Sequence, residues 1–215
     1  MAESEPCTFY IVRHGETEWN VRLIIQGHLN SKLTARGEAQ ARALVEQFHD
    51  IPLTSVVSSD LGRAQRTAEV VARDHGFSLK TSPMLREKYL GAFQGRSVEE
   101  LRAAYPNWDR FADEESHHFK LQGEEESNAE VVERVLQFLL QTAREHPGGS
   151  VLVVTHGGPM RYLLVHQGYA TYASLRRIPN VACISATSDG QSLTVVGTSG
   201  LTMDNSGPHA EGMSL

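Results

Sequence analysis

Short apolar runs recur along the chain, each stopping where polar and glycine-rich residues begin. Residues 7 to 13 (Cys-Thr-Phe-Tyr-Ile-Val-Arg), 54 to 58 (Thr-Ser-Val-Val-Ser), 151 to 155 (Val-Leu-Val-Val-Thr), 181 to 186 and 193 to 198 are such runs. Their length and their β-branched content predict buried strands. Helical periodicity fills several of the gaps. Residues 34 to 48 open on Thr34, a candidate N-cap, and place Leu44, Val45 and Phe48 on one face. Residues 60 to 74 follow Ser59 and stop before Gly76, a candidate C′ glycine. Ser127 and Glu130 have capping-box spacing, and Val131, Val135, Phe138 and Leu139 then repeat at helical intervals until Pro147-Gly148-Gly149.

Strands alternating with amphipathic helices predict an α/β fold in three layers, a mostly parallel central sheet with helices on both faces. Residues 88 to 126 break the rhythm, with Tyr89, Phe93, Tyr105, Trp108, Phe111 and Phe119 spread through a polar, proline-containing stretch. This segment is expected to be an insertion over the active site. The alternative is an irregular surface excursion whose aromatics anchor it to the core. With 215 residues and no internal repeat, a single domain over 1–215 is expected, ending in a flexible tail at 202–215 that contains Gly207-Pro208 and Gly212.

Charge narrows the ligand class. The formal net charge of -6, from 20 Lys+Arg against 26 Asp+Glu, argues against a nucleic-acid or anionic-membrane partner, so any anion must be caught by a local cluster. Asp113-Glu114-Glu115 and Glu124-Glu125-Glu126 read as solvated surface. Cys7 and Cys183 lie in apolar segments without metal-ligand spacing, which fits reduced, buried thiols. The acidic start Met-Ala-Glu-Ser-Glu-Pro lacks a secretory pattern and no run approaches transmembrane length, so a cytoplasmic location is expected.

The chemistry sits where strands end. Arg13-His14-Gly15-Glu16 closes the first apolar run, and Thr155-His156-Gly157-Gly158 closes the run at 151 to 155. In an open α/β sheet ligands bind at the carboxyl ends of strands, so two strand-end His-Gly pairs can meet across adjacent strands. Arg13 would clamp an anion, with His14 as the reactive imidazole. Arg63 and Arg66 lie in the first turns of the helix after the 54–58 strand, where a helix start already favours anions. Arg63 could grip a phosphate with two N–H groups, while Arg66 makes a structural ion pair.

These elements resemble the histidine phosphatase superfamily, which includes the phosphoglycerate mutases. The resemblance runs from Phe9 to about Val196. It rests on Arg13-His14-Gly15-Glu16-Thr17-Glu18-Trp19-Asn20, Gln26-Gly27-His28, Leu33-Thr34-Ala35-Arg36-Gly37, Ser58 to Thr67, Leu85-Arg86-Glu87 and Val154-Thr155-His156-Gly157-Gly158. It implies that His14 attacks phosphorus to form a phosphohistidine, and that Arg13, Arg63 and His156 surround the phosphoryl group. It also implies that Thr17, Asn20, Gln26, Gly27 and Gly157 complete the pocket, and that Glu87 is the proton donor. The plain alternative for Glu87 is a surface carboxylate paired with Arg86 or Lys88.

Phosphoryl transfer demands positioning and charge stabilisation, which two arginines and a histidine supply without a metal or other cofactor. Guanidinium groups disfavour protonation of His14, whereas a phosphate dianion raises the pKa of a nearby carboxyl such as Glu87. Only 69 positions separate Glu87 from His156, which favours the family's phosphatases over its mutases. Lys88-Tyr89-Leu90-Gly91-Ala92-Phe93-Gln94-Gly95-Arg96 resembles the phosphatase segment, with Gln94 where a glutamate is common, and Glu124-Glu125-Glu126-Ser127 departs from Gly-Glu-Ser. The expected activity is a histidine acid phosphatase-type phosphoric monoester hydrolase acting on a small phosphorylated metabolite. A cofactor-dependent phosphoglycerate mutase is the alternative. A phosphate-binding scaffold, or a metal-dependent phosphoesterase using His117-His118, is a weaker reading because adjacent histidines do not normally face one ion. Lys88, Arg96 and Arg102 are candidates for a second anionic group on the substrate. The identity of that substrate and the oligomeric state are not legible.

Overall fold

The computed structural model describes residues 5–105, 118, 120, 123–175 and 177–203. Six strands form one sheet: β1 (Cys7–Arg13), β2 (Ser55–Ser59), β3 (Lys80–Ser82), β4 (Ser150–Thr155), β5 (Cys183–Ser188) and β6 (Leu193–Ser199), in the order β3-β2-β4-β1-β5-β6. The β3, β2, β4 and β1 neighbours are parallel, while β5 and β6 add on antiparallel. The mostly parallel sheet is thus as expected, and its antiparallel edge has a local cause. Asp189 Oδ1 accepts from the backbone N–H groups of Gln191 and Ser192 and closes a four-residue turn between β5 and β6, far too short for a parallel crossover.

Alternation along the central strands feeds two cores. Phe9, Ile11, Val151 and Val153 pack with Val131, Val135, Leu139, Leu163 and Leu164 from α5 (Asn128–Glu145) and α6 (Gly157–His166). Val12, Leu152 and Val154 face the other way, onto Leu44, Phe48, Ala64, Ala68 and Val71 of α2 (Ala35–Phe48) and α3 (Gly62–Asp74). Burying each large side chain contributes about 1.5–3 kcal/mol against the entropy of ordering it. Cys7 and Cys183 are buried in these cores, with burial pushing their thiols up to about 11 and about 12.

Local signals set most boundaries. Thr34 accepts from Gly37 N to start α2, Ser127 and Glu130 form a reciprocal capping box on α5, and Gly76 takes φ +71° after α3. The α3 helix starts later than the sequence suggests, because its N-cap is Leu61, which has no capping side chain. Three elements escape the periodicity. The α1 helix (Glu18–Val21) is one turn, β3 is three polar residues on an edge, and α6 opens on Gly157-Gly158-Pro159.

The segment from residue 88 is more regular than its pattern suggests. It contains a 3-10 turn at Gly91–Phe93 and α4 (Val98–Ala104), whose Ser97 and Glu100 form a second capping box. Phe93 is buried against the ring of Tyr105, and backbone hydrogen bonds from Ile25 to Arg96, Gly95 to Ile25 and Val98 to Leu23 fasten the segment to residues 23–25. The expectation that Glu124-Glu125-Glu126 is solvated holds for the exposed Glu124 and is overturned for the other two. Glu125 is buried and Glu126 is ion-paired with Arg134. Trp108, Phe111, Phe119, Asp113-Glu114-Glu115, His117 and the tail from residue 204 lie outside the described residues. Among the described residues no helix is long and apolar enough to cross a membrane.

Candidate active site

The register places Arg13 opposite Thr155 on the neighbouring parallel strand, so His14 and His156 leave β1 and β4 side by side. Their rings lie 5.2 Å apart, edge to face, and both are buried. His14 Nδ1 is 2.7 Å from Gly15 O, a group that only accepts, so the proton sits on Nδ1. The lone pair is therefore on Nε2, which receives the Arg63 Nε–H at 3.2 Å. His156 Nε2 lies 2.8 Å from Ser59 Oγ, and Ser59 Oγ already accepts from Leu61 N. His156 Nδ1 is a buried atom with no partner among the described residues.

Arg63 is held as a fork. Beyond His14 it donates to Leu29 O and Gly27 O, each at 2.8 Å, so the turn containing Gln26 and Gly27 is strapped to α3. Arg13 donates to Ile178 O, and its buried Nε has no partner among the described residues. A methyl at Gly157 would lie 3.3 Å from that Nε, which places the Arg13 guanidinium beside the N-terminus of α6. Burial pushes both guanidiniums down to about 10, still cationic at neutral pH. Arg66 instead pairs with Glu38 and Glu69 on the surface.

Glu87 reaches the same place from the loop after the 3-10 turn Pro83–Leu85. Its carboxylate accepts from Lys88 N at 2.9 Å and Gly158 N at 3.2 Å, and it is the leading charge that favours the cationic forms of Arg13 and Arg63. The surface pairing weighed for it does not form, since Arg86 pairs with Asp60 and Lys88 donates to Asn128. Thr17 caps α1 in a box with Asn20 and accepts from Gln26 Nε2, so these residues largely bond one another. Gln26 Oε1 is buried without a partner among the described residues. The departure at Gln94 has a structural use: its Oε1 accepts from His28 N, and a methyl on Gly27 would come within 2.1 Å of it.

Two residues at the site, Asn180 and Arg134, carry no motif signal, while Ser59 and Thr67 lie within the Ser58 to Thr67 motif but have no role assigned from it. Asn180 donates from Nδ2 to His14 O and to Asn20 Oδ1, joining a loop 166 residues away to the β1 end. Thr67 Oγ1 accepts from Gly15 N, and Ser59 orients His156. Arg134, on α5, grips the loop that carries Glu87. Among the described residues no three His, Cys, Asp or Glu side chains are grouped to hold a metal.

Burial first, then the Arg63 charge, holds both imidazoles well below the usual histidine range. The same groups titrate near pH 6.5 in an unfolded chain. Below that pH the unfolded state therefore binds more protons, so stability should fall on acidification, by about 1.4 kcal/mol per pH unit for each ring. His28, lowered by burial, acts in the same direction, and His49 beside Asp74 opposes it. Urea midpoints measured without phosphate should drop from pH 7.5 to 5.5. A flat profile would show that the paired rings take up protons in the folded state.

Fold and site together define an α/β protein that gathers two neutral imidazoles, two guanidiniums and a carboxylate at the carboxyl edge of its sheet. The chain belongs to the histidine phosphatase superfamily, branch 1, whose family model matches residues 9–198. It is 38% identical over 149 residues to a probable phosphoglycerate mutase, GpmB, of Escherichia fergusonii, covering 69% of this chain and 68% of that one. Bacillus stearothermophilus YhfR superposes with a TM-score of 0.80 at 28% identity, over 88% of this chain and 95% of that one. A mycobacterial glucosyl-3-phosphoglycerate phosphatase in its native form gives a TM-score of 0.74 at 27% identity, over 89% and 96%.

Proposed function

We propose that the chain hydrolyses phosphate monoesters of small metabolites by double displacement at His14, without a metal. The observation that carries this is the His14 tautomer. Gly15 O accepts from Nδ1–H, burial and then the charges of Arg63 and Arg13 keep the ring neutral, and the lone pair lies on Nε2, where it attacks phosphorus once the Arg63 Nε–H turns from it to a phosphoryl oxygen. As the Nε2–P bond forms, the ester P–O bond breaks and the leaving oxygen takes a proton from the Glu87 carboxyl. Glu87, now a carboxylate, removes a proton from water as the water oxygen attacks phosphorus. The N–P bond then breaks, returning its electron pair to His14 and releasing inorganic phosphate. Arg13, Arg63 and His156 offset charge on the phosphoryl oxygens, aided by the α6 N-terminus at Gly157.

Phosphate release from a panel of metabolite phosphates in excess EDTA tests the reading, and loss of turnover restored by one divalent ion would overturn it. The likeness to the probable mutase of E. fergusonii supports a second reading, phosphoryl return to phosphoglycerate. Running 3- to 2-phosphoglycerate conversion beside phosphate release decides between the two.

Gly158 gives a sharper test of Glu87. A methyl there would lie 2.1 Å from Glu87 Oε1 and 3.2 Å from the Tyr162 ring, so the Glu87 carboxyl has to move away while the ring gives by a few tenths of an ångström. Gly158→Ala should therefore lower kcat/KM by on the order of 100-fold with little change in Tm, since small misplacements of a reacting group cost that much. Wild-type turnover in this variant would remove Glu87 from the reaction.

A further inference from the structure

Residues 86 to 90, which carry Glu87, have no regular secondary structure, so no ladder of backbone bonds holds the carboxyl in place. A single side chain on α5 does that work instead. Arg134 donates through Nη1 to Met84 O at 2.8 Å and Arg86 O at 2.7 Å, and through Nη2 to Glu87 O at 3.1 Å. Its Nε and Nη2 meet the two oxygens of Glu126 at 2.8 and 2.9 Å. All five guanidinium N–H groups are thereby spent inside the protein, so Arg134 holds no donor in reserve for a substrate.

Glu126 extends the grip. Its Oε2 also accepts from Tyr89 N at 2.8 Å, while its own N–H donates to Tyr89 O at 3.0 Å. From the opposite side His28 Nε2 lies 2.8 Å from Glu87 O. The backbone is thus tied at residues 84, 86, 87 and 89, on both sides of the one side chain in the loop that faces Gly158. Such a fork has a geometric requirement that lysine, with a point charge and three donors, does not meet.

We propose that Arg134, locked by Glu126, is a positioning residue that sets the Glu87 carboxyl for proton transfer to the leaving group. This rests on the reading of Glu87 as the proton donor. Arg134 acts through Glu87, both when the departing oxygen is protonated and when Glu87 takes a proton from water, and none of its five donors goes to His14.

The test compares phenyl phosphate with p-nitrophenyl phosphate, which are alike in shape but differ in how much the leaving oxygen needs a proton. Arg134→Ala should lower kcat/KM, which reports steps only through phosphoenzyme formation, by about 30-fold on phenyl phosphate, a part of the roughly 100- to 10,000-fold that general acid catalysis supplies, and by less than about 3-fold on p-nitrophenyl phosphate. Glu126→Gln and Arg134→Lys, which keep most of the packing, should show the same selectivity at smaller size, and they carry the test if the alanine variant does not fold. Glu87→Gln run alongside separates the two claims. If Glu87→Gln discriminates between the esters and the Arg134 and Glu126 variants lose both activities equally, or neither, the positioning role is wrong. If Glu87→Gln itself fails to discriminate, the proton-donor reading fails and this proposal with it.

Discussion

Replacing His14 by alanine is expected to lower phosphomonoester turnover by on the order of 10,000-fold or more, the scale seen when a covalent nucleophile is deleted. The remaining groups would still bind an anion, because Arg13 and Arg63 keep their bonds to Ile178 O, Gly27 O and Leu29 O. KM should therefore move far less than kcat. The neighbouring imidazole does not replace the lost lone pair, because His156 Nε2 is tied to Ser59.

The same variant yields a chemical signature. Wild-type protein mixed with labelled substrate and quenched should hold phosphate in a linkage that is labile in acid and stable in alkali, as an N–P bond requires. The alanine variant should hold none. Label that survives acid, or turnover retained in a clean preparation of the variant, would defeat the covalent mechanism outright.

How much of this site was legible follows from how its residues are held. His14 and His156 announce themselves because each ends an apolar run at a glycine, and parallel pairing of β1 with β4 turns two separate motifs into neighbours. Arg63 is legible for the same reason, one turn after β2. Asn180 sits in a loop with no periodicity, and its value lies in two bonds made across the fold to His14 O and Asn20. Arg134 looks like any polar position on an amphipathic helix, since carbonyls 47 to 50 residues away leave no trace near it in the chain. Glu125 and Glu126 mislead for the opposite reason. An acidic triplet is normally solvated, yet here Arg134 gives Glu126 a partner and holds its carboxyl below the usual range despite burial.

Arg63→Met should do two separable kinds of damage. Arg63 is 2% exposed, and its removal strips the donors from the buried bond to Gly27 O and the part-buried bond to Leu29 O, so stability should fall by about 2–4 kcal/mol. Activity should fall further than that loss explains, by about 1,000-fold in kcat/KM under conditions where the variant is fully folded, since a guanidinium on a transferring phosphoryl group is worth at least that. The state of His14 distinguishes the two. Burial is the larger cause of its depressed pKa and Arg63 the next, so loss of the charge should bring the His14 titration back toward the ordinary range without restoring it. Arg63→Lys separates charge from geometry. It should leave His14 neutral, because the positive charge remains, yet stay well below wild type, because an ammonium cannot hold Gly27 O, Leu29 O and a phosphoryl oxygen in one plane. Full activity in the lysine variant would mean that charge alone is used at this position, and full activity in the methionine variant would take Arg63 out of the site.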